Sequence, residues 1–250
     1  MHHSYFKIEH FDEIDSTNTR LKQRAVAGAP SGTVLVADAQ TAGRGRMGRS
    51  FFSPRGSGLY LSVLLRPVVF ADAGHLTTLT AVAVARALEA VGVPTEIKWI
   101  NDLLAGGKKL CGILVEGGTV DGEPFAVIGI GVNLRQTAFP EELADIATSA
   151  EAQTGQVPHR DALVNEILRE IYKIHVEKRE DIPTLMNEYR ARCHIAGRRV
   201  HVNPMSGEPF EAIALAVEDD GALTVRPLAP ENAPPVTLSS AEISVRPVAD

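Results

Sequence analysis

Gln40 to Pro54 reads Q-T-A-G-R-G-R-M-G-R-S-F-F-S-P. Gly43, Gly45 and Gly48 alternate here with Arg44, Arg46 and Arg49. Glycine lets the backbone take positive φ and come close to a ligand. Arginine presents a fixed fork of donors that suits phosphate or carboxylate. The composition describes a loop that closes over an anion. A solvated basic turn has the same composition, so the flanking sequence has to separate the two.

Gly43-x-Gly45-x-x-Gly48 satisfies the dinucleotide fingerprint, and residues 43–50 come within one residue of a P-loop, with Arg49 where lysine is required. Both motifs need a helix immediately afterwards, because the helix N-terminus holds the phosphates. Phe51-Phe52-Ser53-Pro54 and Gly56-Ser57-Gly58 follow instead, and then an apolar strand over 59–65. Upstream, T-V-L-V-A-D-A at 33–39 is a buried strand by its β-branched content. The loop therefore joins two strands, and both nucleotide motifs fail on context. A kinase reading fails as well. His159-Arg160-Asp161 and Ala229-Pro230-Glu231 are present, but Asn165 stands one place short, and no Asp-Phe-Gly or Val-Ala-Ile-Lys occurs.

The 250 residues suffice for one large domain, or a medium and a small one. With 44% hydrophobic and 22% charged residues the chain has ordinary globular composition. A net charge of −6 argues against a general nucleic-acid binder and confines basicity to the loop. Cys111 and Cys193 lie far apart. They form no disulfide framework, and a reducing cytoplasm is the expected compartment. No signal peptide opens the sequence, and no apolar run reaches membrane-spanning length. His2 and His3 are assigned no metal.

In chain order, a strand is expected at 6–14, then a helix capped by Ser16 or Thr17. A mostly buried helix spans 72–91 and is ended by Gly92. Strands follow at 95–99, 110–116 and 126–133, the first two separated by a Gly106-Gly107 hairpin turn. Gly112, Gly129 and Gly131 weaken these strands unless something packs close, so they mark the floor of a pocket. Helices are expected at 140–148, 161–178 and 182–193. Beyond Gly197 the pattern changes to short strands at 199–202, 210–215, 222–225 and 236–238. The expectation is an α+β unit over 1–196, a mixed central sheet with flanking helices, followed by a small β-barrel-like unit over 197–250.

Lys98-Trp99-x-Asn101-Asp102 and Lys108-Lys109 add cations, a carboxylate and an aromatic to the arginine loop. Asp102 is a candidate for Mg²⁺, which takes one or two carboxylates plus substrate phosphates. It also fits a plain turn residue. No Ser-His-Asp order and no metal-ligand cluster is visible, and the histidines at 10, 75, 175, 194 and 201 are scattered.

Gly43-Arg-Gly-Arg-Met-Gly-Arg49, Lys98-Trp-Ile-Asn-Asp102, Lys109-Leu-Cys-Gly-Ile-Leu-Val-Glu116 and Gly129-Ile-Gly-Val-Asn133, with Asp15-Ser-Thr-Asn18 upstream, resemble the biotin–protein ligases. The blocks span residues 15–133 in the family's order and are jointly specific. The resemblance implies a class II synthetase-like catalytic domain and an SH3-like C-terminal domain. It also implies a two-step reaction. Biotin and MgATP give biotinyl-5′-adenylate and pyrophosphate, and a lysine of a biotin carboxyl carrier protein, from acetyl-CoA carboxylase or a related carboxylase, then takes the biotin.

Carried over by position, Ser16, Thr17, Asn18 and Gln40 would hold the biotin head group, backed by Gly112. Gly43 and Arg44 would meet the biotin carbonyl and the α-phosphate. Arg46 would brace the closed loop, and Lys109 would bridge carboxylate and α-phosphate, which makes Lys109, Arg44 and Arg46 the expected catalytic group. Arg49, Phe51, Lys98, Asn101, Asp102 and Asn133 would serve nucleotide, phosphate and metal. Clustered cations fit the physics, since a carboxylate must meet a highly charged triphosphate. A glycine-rich lid would shield the adenylate from water. Ile100 departs from the family's proline, which implies a looser turn. The ligase pattern begins by Asp15, which leaves no room for the DNA-binding module of some members. A catalyst, monomeric or dimeric, without specific DNA or membrane binding is therefore expected. A lipoate or octanoate ligase of the same fold and a non-catalytic biotin-binding regulator are the alternatives. The first lacks its own arginine–glycine pattern here, and the second has no need of Lys109 and Asp102.

Overall fold

Alternation along the strands organises the molecule. In the computed structural model, which describes residues 2–68, 73–135, 139–204, 207–239 and 243–247, strand β3 (Gly58–Leu65) is buried along its length. Its two faces do different things. Leu59, Leu61, Val63 and Leu65 enter the main core, Leu64 enters a smaller second core, and Ser62 turns to polar partners. Successive side chains of a strand point to opposite faces, so one apolar run serves both layers.

A four-residue helix α1 (His2–Tyr5) precedes strand β1 (Lys7–Phe11). With β2 (Thr33–Ala37), β3, β4 (Glu96–Lys98), β5 (Asp102–Ala105), β6 (Lys108–Val120) and β7 (Glu123–Asn133) it forms one sheet in the order β1-β2-β3-β7-β6-β5-β4. β1 and β2 are parallel and the other pairs are antiparallel. The parallel pair needs a crossover, and helix α2 (Thr17–Val26) supplies it. Ser16 caps α2, its Oγ accepting from Thr19 N at 3.4 Å. Leu21 and Ala25 of α2 bury against Leu35, Leu64, Phe125 and Val127 on one face of the sheet.

The other face carries the main core. Helices α3 (Ala73–Ala90), α6 (Arg160–Ile171) and α7 (Ile182–Arg192) cover it, the short helices α4 (Glu141–Ala144) and α5 (Ala150–Thr154) lying between α3 and α6 in sequence. Arg86 of α3 ties the layer together. It reaches Glu170 of α6 at 3.6 Å, Glu180 at 2.7 Å and Glu188 of α7.

A second, antiparallel sheet follows in the order β11-β10-β9-β8-β12, from β8 (Arg199–Pro204), β9 (Phe210–Val217), β10 (Leu223–Pro227), β11 (Val236–Leu238) and β12 (Ile243–Pro247). It is fastened to the first unit by polar contacts. Trp99 Nε1 donates to Gly221 O at 3.0 Å, Arg190 reaches Asp219 Oδ1 at 3.0 Å, and His75 Nε2 meets Asp219 O at 2.7 Å.

The α+β architecture is as expected, with local differences. β6 and β7 extend into a long hairpin. The 140–148 helix shrinks to α4, with a bridge from Ala147 to Lys109 beyond it. The 161–178 helix ends at Ile171, and a π turn (Tyr172–Val176) continues it. α1, β5, α5 and β12 add to the expected elements. Residue 72, the expected start of α3, lies outside the described residues. Among the described residues, no helix is long and apolar enough to cross a membrane.

Candidate active site

The register of the sheet builds the floor of a cleft. Lys98 pairs with Asp102, Asp102 with Gly112, Gly112 with Gly131, and Gly131 with Tyr60. Directly opposed residues of antiparallel strands point to the same side. This row therefore lies on one face of five neighbouring strands. The adjoining row, Ile97, Leu103, Cys111, Val132 and Leu59, points the opposite way into the core. Two residues along, Leu114, Gly129 and Ser62 make a parallel row on the cleft side. Glycines thus occupy three floor positions, and other groups fill the space their missing side chains leave. A Cβ on Gly131 would stand 2.6 Å from Phe51 Cε1, and one on Gly129 2.2 Å from Asn18 Oδ1.

The arginine loop folds over this floor as a distorted hairpin between β2 and β3. Gln40 N donates to Ser53 O at 3.1 Å, Phe51 N to Gly43 O at 2.9 Å, and Gly45 N to Arg49 O at 2.7 Å. Arg46–Gly48 forms a single 3₁₀ turn at the tip, where Met47 and Gly48 have positive φ. Gly43 is fixed by proximity, since a Cβ there would lie 2.4 Å from Phe51 O.

A chain of hydrogen bonds runs beneath the loop. Ser53 Oγ donates to Phe51 O at 2.8 Å and accepts from Gln40 Nε2 at 3.0 Å. Gln40 Oε1 accepts from Thr17 N at 2.9 Å and Thr17 Oγ1 at 3.1 Å. Ser62 Oγ, fully buried, lies 2.8 Å from Thr17 Oγ1 and 2.6 Å from Asn18 Oδ1. Asn18 Nδ2 donates to Leu114 O at 3.2 Å and Glu116 Oε2 at 3.1 Å.

The cations converge from the other side. Lys109 Nζ stands 2.7 Å from Asp102 Oδ1 and 5.8 Å from the centre of the Phe51 ring. Arg46 Nη1 donates to Asn101 Oδ1 at 3.1 Å, and Asn101 Nδ2 donates to Ile113 O at 2.7 Å. Burial holds the Arg46 guanidinium below the ordinary arginine pKa, with the charge of Asp102 acting in the opposite direction. Arg44 Nη1 lies 3.0 Å from Glu116 Oε1. At the turn carrying Ile100, expected to be looser, the side chain is 1% exposed and the carbonyl accepts from Tyr189 Oη at 3.2 Å.

Ser16, Thr17, Asn18, Gln40, Arg44 and Arg46 line the cleft, as do Phe51, Asn101, Lys109 and Gly112. Gly129 and Gly131 line it too, as the floor reading requires. Gly43 shapes the loop from behind the lining. Asp102 meets the cleft through Lys109. Lys98 sits in the floor row beyond Asp102, and Arg49 is exposed at the end of the 3₁₀ turn. Asn133 stands apart, its Nδ2 donating to Thr148 O at 3.0 Å. Ser62, Ser53 and Glu116 carry site geometry without having been singled out. A lone serine inside the apolar run 59–65 was the visible sign for the first.

Among the described residues no group of three or more His, Cys, Asp or Glu side chains could hold a metal ion. Burial pushes the Cys111 thiol well up and that of Cys193 to about 11, so neither is a thiolate nucleophile near neutrality. The chemistry available is that of a polar pocket joined to a cationic recess.

Comparison with known proteins agrees with this layout. Residues 10–133 match the Biotin/lipoate A/B protein ligase family. Over 226 residues the chain is 38% identical to the bifunctional ligase/repressor BirA of Bacillus spizizenii, covering 85% of this chain and 67% of that protein. Over 218 residues it is 39% identical to the biotin–[acetyl-CoA-carboxylase] ligase of Mycobacterium tuberculosis, covering 84% and 80%. The biotin protein ligase of Aquifex aeolicus, solved in complex with biotin and ATP, superposes with a TM-score of 0.81 at 29% identity, over 97% of this chain and 99% of that one. On its fold, its cleft and these relatives, the chain belongs to the biotin–protein ligase family.

Proposed function

We propose that the protein adenylates biotin with ATP and passes the biotin to a lysine of a biotin carboxyl carrier protein, in the cytoplasm. The observation that carries this reading is the meeting of Lys109, Arg44 and Arg46 over a glycine floor, beside the Thr17–Gln40–Ser53 hydrogen-bond chain. A ureido head group needs fixed donors and acceptors at one end of a cleft. An acyl phosphate forming at the other end needs cations.

In the first step a carboxylate oxygen of biotin attacks the α-phosphorus of ATP. The bond to the bridging oxygen breaks, and pyrophosphate leaves with that electron pair. Lys109 and Arg44 hold the two anions together and stabilise the charge gathering on the α-phosphoryl oxygens. Arg46, fixed by Asn101, braces the loop above them. Phe51 packs against Gly131 and offers adenine a ring to pack on. Arg49 and Lys98 extend the positive field toward the β- and γ-phosphates, and Asn133 supports the end of β7. In the second step the neutral amine of the carrier lysine attacks the carbonyl carbon, the carbonyl–oxygen bond to the phosphate breaks, AMP leaves with that electron pair, and the amine proton passes to solvent.

Asp102 is the protein carboxylate that would accompany Mg²⁺ brought in with ATP. When bound, the ion offsets triphosphate charge. Residues 197–250 act as a docked second domain whose Gly221 carbonyl steadies Trp99, two residues before Asn101.

Incubation with a carrier domain, MgATP and an equimolar mixture of biotin, lipoate and octanoate tests the reading by intact mass. The expected product carries biotin alone on one lysine. A lipoyl or octanoyl adduct, or no adduct together with no biotin-dependent pyrophosphate release, would overturn it.

A further inference from the structure

Glu116 is the one carboxylate on which helix α2, the arginine loop and strand β6 converge among the described residues. Its side chain is 14% exposed. One oxygen lies 3.0 Å from Arg44 Nη1 and 3.6 Å from Lys22 Nζ, and the other accepts from Asn18 Nδ2 and Arg44 Nη1, both at 3.1 Å. Glu116 does not line the cleft, whereas Asn18 and Arg44 both do. Asn18 belongs to the head-group end, seated over Gly129 and bonded to Ser62. Arg44 belongs to the loop. The carboxylate is thus the joint between the two halves of the site.

We infer that Glu116 is a positioning residue that locks Arg44 to Asn18, so that head-group recognition and loop closure operate as one unit. The inference rests on the ligase reading above. Three loop arginines repel one another, and the loop contains three glycines, so ordering it is costly in both charge and backbone entropy. Glu116 offsets one of the three charges and anchors the loop's first arginine before any ligand arrives. Without it, the ligand itself must recruit Arg44, and the cost of ordering the loop falls on binding. A group that acts this way governs substrate affinity and retention of the adenylate more than the chemical step.

Initial rates of biotin-dependent pyrophosphate release provide the test on the full chain. Glu116→Ala should raise KM for biotin roughly tenfold to a hundredfold, the range for losing charged hydrogen bonds, while kcat stays within about threefold. Glu116→Gln keeps the shape and one acceptor oxygen but loses the charge and the second acceptor, and should fall between Glu116→Ala and wild type. Lys22→Ala, which removes the exposed partner, should leave KM within about twofold. Because part of the effect of Glu116 runs through Arg44, adding Glu116→Ala to Arg44→Ala should worsen KM by less than Glu116→Ala does in wild type. Trypsin should cut after Arg44 faster in ligand-free Glu116→Ala than in wild type. If wild type releases no pyrophosphate with biotin, the ligase reading is what fails. If wild type is active and Glu116→Ala matches it in KM and in cleavage rate, or if its kcat falls with KM unchanged, the positioning role is overturned.

Discussion

Replacing Lys109 by alanine is the sharpest perturbation the site offers. The ammonium is paired with Asp102 at 2.7 Å, and the two side chains are 35% and 21% exposed. The pair is partly exposed, so its loss should cost about 1 kcal/mol of stability. For a chain of this size that corresponds to a fall in Tm of roughly 2–4 °C. The effect on rate is set by a different contact. A unit of charge developing about 4 Å from the ammonium interacts at about 4 kcal/mol with an effective dielectric near 20. Asp102 cancels part of this, which leaves about 3 kcal/mol, or a loss of about 10²–10³ in rate, the scale measured for removing one oxyanion donor. Lys108 is the internal control. It is the preceding lysine, but its Nζ donates to Ala144 O at 3.2 Å, away from the cleft lining. Pyrophosphate release with saturating biotin and MgATP, followed alongside Tm, separates the two effects. Lys109→Ala should be nearly inactive and well folded, and Lys108→Ala should resemble wild type. Should Lys109→Ala retain more than a tenth of wild-type turnover, the assignment of that lysine to the reacting phosphate is wrong.

The remaining predictions concern the loop, the second sheet, acidity and DNA. Limited trypsin should cut first between Arg44 and Arg49 in the free protein and slow markedly once adenylate forms, with AMP alone protecting poorly; equal cleavage in all three states would remove the lid from the mechanism. A chain ending at Ala196 loses the Gly221 acceptor of Trp99 and the Asp219 acceptor of Arg190, and should adenylate biotin more slowly; a folded, fully active fragment would show the second sheet to be dispensable. Burial, with Lys178 nearby, lowers the His175 pKa to about 4, so the folded state keeps this imidazole neutral while the unfolded chain protonates it. Stability should therefore be unaffected above pH 6.5 and decline by on the order of 1–3 kcal/mol as pH falls toward 4; denaturant titrations of His175→Gln that show the same acid loss as wild type would refute this. The 250-residue chain, at net charge −6, should give no sequence-specific DNA shift at physiological salt, with or without biotin, and a specific shift would contradict the reading.

The glycine floor and the loop were legible because each is a local pattern. Glycines in strands ask what packs against them, and the answers, Phe51 and Asn18, came from within the same blocks. The connectors were not legible. Asn18 finds Glu116 across 98 positions, and Arg44 finds it across 72. No single strand announces such a register. Asn133 is a different case. Its nucleotide role is implied by the family resemblance alone, and the fold gives its amide Thr148 O as a partner 15 residues later. β12 was missed because it follows a polar stretch and ends in proline, leaving little alternation to read. The length of β6 was underestimated since Gly117 and Gly118 weaken strand propensity, which pairing with Ala126 and Phe125 overrides.

The pairing of Gly112 with Gly131 also makes the position of the site hostage to the core. A slip of one residue between β6 and β7 would turn Ile113 or Ile130 into the cleft and carry Gly112 or Gly131 to the apolar side, because a strand's side chains reverse face with each step. Both isoleucines are 2% exposed, so the slip is opposed by the whole of their burial. The cleft can therefore change its lining without changing its place. A relative that handles a bulkier or differently shaped acid is best sought among substitutions at 112, 114, 129 and 131, where a side chain alters the floor and leaves the hydrophobic layer beneath it untouched.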